Sequence, residues 1–253
     1  MLRVLLFLPL LPVTRSQYYA TLPLLRNALY NCVGDCSDDQ QTAEGACAAA
    51  DGQNWNAGTG ADCNNLNQWQ FGNLNTMQSL FYNAAQFNVD VSGWNTAKVK
   101  FMHSMFENAG QFNADVSGWN TAKVKSMHSM FKNAAQFNAD LSEWNTMKVT
   151  SMASMFENAA QFNADLSKWN TAKVQDFQQM FQGAVQFQAD VSSWNVVANT
   201  ADAGAWDNML DAAYSVPICG WKQQAADASN TLFVHLLENQ DLPVAICNVE
   251  TES

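Results

Sequence analysis

Through the middle of the chain the apolar residues recur in one fixed order every 25 residues. The unit 137–161 places them at Phe137, Leu141, Trp144, Val149, Met152, Met155, Phe156 and Ala159. From Met152 onward the spacings of three, one and three follow the helical period. The segment SMASMFENA is therefore expected to form a short helix, with Ser126, Ser151 and Asp176 as N-caps in successive units. Asn108, Asn133 and Asn158, and Gly183 in the next copy, stand where that helix would end, and Asn and Gly share a tolerance of the left-handed conformation. A helix of about two turns does not hold together alone in water, so packing must supply its stability. The stretch before it, FNADLSEWNTMKV, spaces its apolar residues four, three and five apart, which is neither period. A turn-rich arc containing one short parallel strand is expected there.

Four near-identical units run 87–111, 112–136, 137–161 and 162–186, with a worn copy at 62–86. A sixth, 187–213, begins at Phe187 and then drifts: its Met209-Leu210 pair arrives four residues late, which places a short insertion within Val197–Trp206. A unit this short cannot close a core alone, so it must bury its apolar face against the copies on either side. The expected architecture is an α/β solenoid of about six 25-residue coils, with short helices and short parallel strands. The flanking segments 17–61 and 214–253 read as caps, because the stack would otherwise end in bare core. A single copy should be unfolded.

Polar columns run through the same repeat. Glu107, Lys132 and Glu157 occupy one place in successive units with alternating sign, and Glu143 and Lys168 share another. Stacking in register would bring each opposite pair together, and these exposed, variable positions are the first candidates for a binding surface. Asp90, Asp115, Asp140, Asp165 and Asp190 form a carboxylate ladder and are the second. Calcium needs six to eight oxygens where each coil offers one carboxylate, so an Asp in D-x-S reads first as a turn cap that accepts backbone N–H bonds. The Asn columns at 88, 113, 138 and 163 and at 95, 120, 145, 170 and 195 read as hydrogen-bonded ladders that satisfy turn backbone. The line Lys98, Lys123, Lys148, Lys173 is either a solvated edge or a charged binding strip.

Trp94, Trp119, Trp144, Trp169 and Trp194 admit two readings: exposed, they make a sugar platform; buried, they are core, and the apolar residue three places before each favours core. His103 and His128 share a place that Ala153 and Gln178 fill further on, so they lack further metal ligands and read as solvent-facing helix residues. The Met pairs at helical spacing read as core filler. No nucleophile with a positioned base, phosphate loop or convergent acid pair is present, and every repeat carries the same groups where catalysis needs one unlike cluster. No enzyme, cofactor or metal is expected.

The first 16 residues, MLRVLLFLPLLPVTRS, set Arg3 before an apolar run of signal-peptide length, too short for a membrane span. Secretion is expected. Cys32, Cys36, Cys47, Cys63, Cys219 and Cys247 all fall outside the four near-identical units, and in an exported chain that even count reads as disulfides. Pairing Cys219 with Cys247 by position leaves three connectivities open for the others. A formal net charge of −11 makes nucleic acid and anionic membrane surfaces poor partners, and capped coil ends favour a monomer.

The motif FNxDhSxWNTxxVxxMxxMFxxAxxF, with h apolar, covers residues 62–213 and resembles the BspA-type leucine-rich repeat surface proteins. The resemblance implies a right-handed, leucine-rich-repeat-like solenoid used for adhesion or recognition, with a protein or glycan ligand at a cell surface or in matrix and no enzymatic centre. A different class of answer is a structural or ice-surface protein, for which the threonine column Thr96, Thr121, Thr146, Thr171 is the one supporting feature.

Overall fold

A computed structural model of the chain describes residues 74–195, 205 and 208–210. The expected signal peptide, both caps, all six cysteines and the first part of the worn unit lie outside the described residues.

Each 25-residue unit makes one circuit and lies on the next. Parallel bridges join Thr76 to Phe101, Phe101 to Ser126, Ser126 to Ser151, and Ser151 to Asp176. Every step is one repeat long, so equivalent residues stand in columns along the stack. Among the described residues these bridges are isolated, and none falls in the arc 137–149 where the short strand was expected. The nearest contact of that kind is at Ser151, just past Val149.

The expected helix is replaced by overlapping turns. In the unit 87–111 the N–H groups of Met102, Ser104, Phe106 and Asn108 donate to the carbonyls of Ser126, His128, Met130 and Lys132 in the following coil, at 2.8–3.2 Å. The N–H groups between them close tight turns, Met105 to Met102, Glu107 to Ser104 and Ala109 to Phe106. Ser104 and Asn108 carry positive φ, 53° and 64°, and the same two places do so in the next units. An α-helix would spend those N–H groups on carbonyls four residues back. Here alternate groups find partners a whole repeat away, and the left-handed residues rotate them outward along the stack. Ser126, Ser151 and Asp176, expected as helix caps, are instead the bridge residues. Asn108, Asn133 and Asn158 do adopt the left-handed conformation expected of them, with Gly183 at φ 73°, but inside the turn run rather than at a helix end.

Two further turns make corners. The N–H of Trp94 reaches the Val91 carbonyl at 3.1 Å, and that of Val99 reaches Thr96 at 2.9 Å; each recurs in the later repeats. Between the corners and the turn run, Lys125 N–H donates to the Lys100 carbonyl, and Thr150 N–H to Lys125, binding each coil back to the one before.

The interior is a set of side-chain columns. Phe106, Phe112, Phe131, Phe137, Phe156 and Phe162 are fully buried, along with the Met pairs and Val99, Val124 and Val149. Phe106 and Phe112 stack at 3.7 Å across the coil junction, and Phe106 and Phe131 at 5.6 Å along the stack. Offset stacking of this kind adds specific attraction to the burial. At the far end Phe181 N–H donates to Met209 and Phe177 to Ala205. The donor-to-acceptor offset, 24 residues in Phe156 to Met180, is four longer there, so the extra residues lie between Trp194 and Ala205.

Candidate functional site

The first corner is acidic. Asp90 Oδ1 accepts the N–H of Ser92 at 2.9 Å, and Asp115, Asp140, Asp165 and Asp190 repeat the contact to Ser117, Ser142, Ser167 and Ser192. All five carboxylates are exposed. The Ser142 N–H and then its hydroxyl hold the Asp140 carboxyl below its usual range, and Ser167 does the same for Asp165. Each Asp thus leads its chain into the turn, as the D-x-S pattern suggests. At the tip of that turn Lys168 Nζ donates to Glu143 Oε1 of the preceding coil at 2.5 Å, in full solvent, and this bond raises the lysine's pKa.

The second corner is built alike with an amide in place of the carboxylate. Asn95 Oδ1 accepts the N–H of Ala97 at 3.1 Å, and Asn120, Asn145 and Asn170 do the same for Ala122, Met147 and Ala172. The turn tips are Lys98, Lys123, Lys148 and Lys173, all exposed. Lys100 and Lys125 stand exposed in the column two residues on. The two corners are therefore ridges of opposite sign running parallel along the stack. The sequence pattern names the lysine line; that Asn95 and its equivalents share its corner emerges only from the turn geometry.

Between the ridges the repeated polar groups are spent inside. Thr96, Thr121, Thr146 and Thr171 are about 1% exposed, and their hydroxyls donate to the carbonyls of Asn120, Asn145, Asn170 and Asn195 in the following coil. A threonine column turned inward cannot order surface water, which removes the feature that favoured ice binding. The five tryptophans are at most 4% exposed. Trp119, Trp144, Trp169 and Trp194 each donate Nε1–H to a carbonyl of the coil before, for example Trp144 to Val116 at 3.0 Å. The indoles are core, so the sugar platform is corrected: no ring face reaches a ligand.

Two asparagine ladders bind the coils. Asn113, Asn138, Asn163 and Gln188 give backbone N–H bonds to the Oδ1 of Asn88, Asn113, Asn138 and Asn163. The left-handed Asn83, Asn108, Asn133 and Asn158 pass amide bonds along the column, Nδ2 to Oδ1, at 2.6–2.8 Å. That ladder stops at Gly183, where a Cβ would stand 2.2 Å from Asn158 Oδ1.

On the turn run Lys132 Nζ lies 2.7 Å from Glu157 Oε2, as a charge pair rather than an aligned hydrogen bond. Glu107 enters no ion pair among the described residues, so the alternating column joins only its second and third members. His103 and His128 stack at 4.6 Å. The expectation of solvent-facing helix residues is corrected: both are half-buried, on turns. His103 Nδ1 is buried without a partner, and burial, then the charge of His128, lowers its pKa. Among the described residues no group of three His, Cys, Asp or Glu side chains could hold a metal ion, and no helix is long and apolar enough to cross a membrane.

A family model described as "Mycoplasma protein of unknown function, DUF285" matches residues 53–159 and 139–242, two placements that overlap inside the repeat array. No curated protein matches the chain.

Proposed function

The chain belongs to the DUF285 family, and we propose that it is an exported, non-enzymatic recognition or adhesion protein that binds a protein or glycan at a cell surface or in extracellular matrix. The finer kinship we propose is with the BspA-type leucine-rich repeat surface proteins, on the motif FNxDhSxWNTxxVxxMxxMFxxAxxF, with a right-handed solenoid capped by disulfides as the architecture.

The observation that carries the reading is a division of labour among the repeated side chains. Threonine, tryptophan and two of the asparagine columns are committed to bonds between coils. What recurs in solvent is charge: Asp at one corner in five units, Lys at the other in four. A catalytic site needs one cluster unlike its surroundings. A row of identical charged rungs suits multivalent attachment instead, where the second contact forms at high effective concentration once the first is made. The apolar N-terminal segment and the even cysteine count support export.

The test is saturable binding of the labelled, folded, full-length mature chain to intact cells and to reconstituted matrix, followed by glycan and protein arrays. Saturable binding that excess unlabelled protein displaces is expected. A folded sample that binds no such surface overturns the reading.

A further inference from the structure

We propose that the ridge of turn tips bearing Lys98, Lys123, Lys148 and Lys173 is a binding strip for an extended polysaccharide carrying carboxylates or sulfates at regular intervals. The proposal rests on the recognition reading above and names the ligand class of one surface.

Positive charge on this chain is scarce and concentrated. Against 23 acidic residues stand 12 basic ones, and six of those are the four tip lysines with Lys100 and Lys125 beside them. A net charge of −11 repels polyanions from the molecule as a whole. The strip is the local exception, and the Asp ridge at the other corner directs an anionic chain toward it.

Each rung presents donors. The turn from Thr96 to Val99 is closed by its backbone bond, which holds the lysine at the tip. Asn95 spends its Oδ1 on the Ala97 N–H, so the Nδ2 is the part of the amide left to donate outward, and Asn120, Asn145 and Asn170 repeat this. The rungs of Lys123, Lys148 and Lys173 therefore offer an ammonium and an amide N–H with its acceptor turned inward, the donor set that a carboxylate or sulfate ester requires, and Lys98 adds its charge at the end of the row. Each coil is bonded to the one before as Lys125 is to Lys100, and the tryptophans that lead into this corner repeat at 6.1–6.4 Å, so the donors recur at regular intervals along the stack.

Other anionic partners fit less well. Single-stranded nucleic acid is gripped through bases stacked on exposed aromatic rings, and the phenylalanine and tryptophan columns here are buried. An acidic peptide bound as an added strand needs an open backbone edge, but N–H and C=O groups beside this ridge already pair from coil to coil. A polysaccharide needs neither.

The experiment is calorimetric titration of the full-length mature protein with size-defined heparin and with alginate, alongside the cell and matrix assay. Heparin binding is expected, and raising salt from about 50 to about 200 mM should weaken it roughly fifty-fold, the counterion release of about four ion pairs to a single-stranded polyanion. Replacing the tips together, K98Q/K123Q/K148Q/K173Q, should weaken binding by about tenfold or more at low salt, while K132Q/K168Q, which removes two lysines off the ridge, should weaken it far less. The tip side chains are exposed, and tryptophan fluorescence with the denaturant midpoint verifies that the variants are folded. Equal loss in both variants, or none in the tip variant, overturns the strip. If neither heparin nor alginate binds while cells or matrix still do, the strip is overturned and the recognition reading stands. Salt-sensitive self-association abolished by the tip variant, without heparin binding, also overturns it, assigning the ridge to the Asp ridge of a second copy.

Discussion

At the scale of single residues, two side chains have roles that their identity alone does not disclose. Asn133 gives an amide bond to Asn108, receives one from Asn158, and sits at φ 59°. Alanine there loses two bonds of about 1 kcal/mol each and forces a Cβ-bearing residue without a local partner into the left-handed region, so Asn133→Ala should cost about 2–4 kcal/mol in urea unfolding. Asn133→Gly keeps the conformation and should cost about half as much; equal losses would mean that backbone strain is irrelevant at this place. His103 gives a pH dependence. Its folded-state pKa lies below the ordinary 6.5 because burial, and then His128, oppose its charge. As pH falls through the unfolded value, the unfolded chain binds a proton that the native chain refuses, so stability present above that pH is lost below it. Urea midpoints compared at pH 7.5 and 5.5 should fall for the wild type and fall less for His103→Gln, which places the residue that Gln178 supplies in a later copy. Identical slopes would remove His103 as the cause.

At the scale of the elements, the turn run shows what was legible in the sequence and what was not. The inward columns and the Asp turn caps could be read from spacing, because each depends on what one repeat contains; of the alternating charges, Lys132–Glu157 and Glu143–Lys168 pair as the register implies and Glu107 does not. The helix could not be distinguished from overlapping turns: both point Met152, Met155 and Phe156 inward, and the difference lies in carbonyls a whole repeat away. The left-handed Ser104, Ser129 and Ser154 left no trace in the sequence, since serine has no reputation for that conformation, whereas Asn108 and its equivalents could be recognised from residue type. The tips of the second corner were visible as a lysine line and the asparagines as groups that satisfy turn backbone, but that each asparagine shares a rung with a lysine was not legible. The turn geometry predicts opposite signs from those of a helix at Ser129. In a helix Ser129→Ala would stabilise slightly and Ser129→Gly would destabilise. At φ 53° the alanine should instead destabilise by about 1 kcal/mol, and the glycine should be neutral or stabilising. Thermal melts of the pair decide it, and a helical ranking would refute the turn assignment.

At the scale of the whole molecule, stability is carried by contacts between neighbouring coils, so the fold should tolerate any change that keeps the 25-residue register and fail with changes that break it. Each coil donates four turn-run N–H groups to the next, Met127, Ser129, Phe131 and Asn133 reaching Ser151, Ala153, Met155 and Glu157, and receives the same number from the coil before. Removing 137–161 joins Gln136 to Phe162 and brings those donors to Asp176, Gln178, Met180 and Gln182, the carbonyls that the deleted coil had used. Phe131 then meets Phe162 and Phe181, Trp119 meets Trp169, and Thr121 meets the Asn170 carbonyl, so every interior column closes over the gap. Some side-chain contacts are lost: Lys132 loses Glu157, Lys168 loses Glu143, and Asn133, now facing Gly183, loses the amide bond from Asn158. The Lys168–Glu143 pair is exposed and contributes little, and the half-buried Lys132–Glu157 pair contributes more, but both lie outside the interior columns, so the shortened stack can lose them and remain folded. A deletion of the same segment less its last three residues, 137–158, would instead shift every donor past its acceptor and turn the apolar columns outward. The in-register deletion should melt cooperatively with its tryptophans still buried, at a midpoint below that of the full chain because one interface fewer supports the array. The out-of-register deletion should show exposed tryptophan emission and no cooperative transition. If both behave alike, the columns are not what holds the coils together.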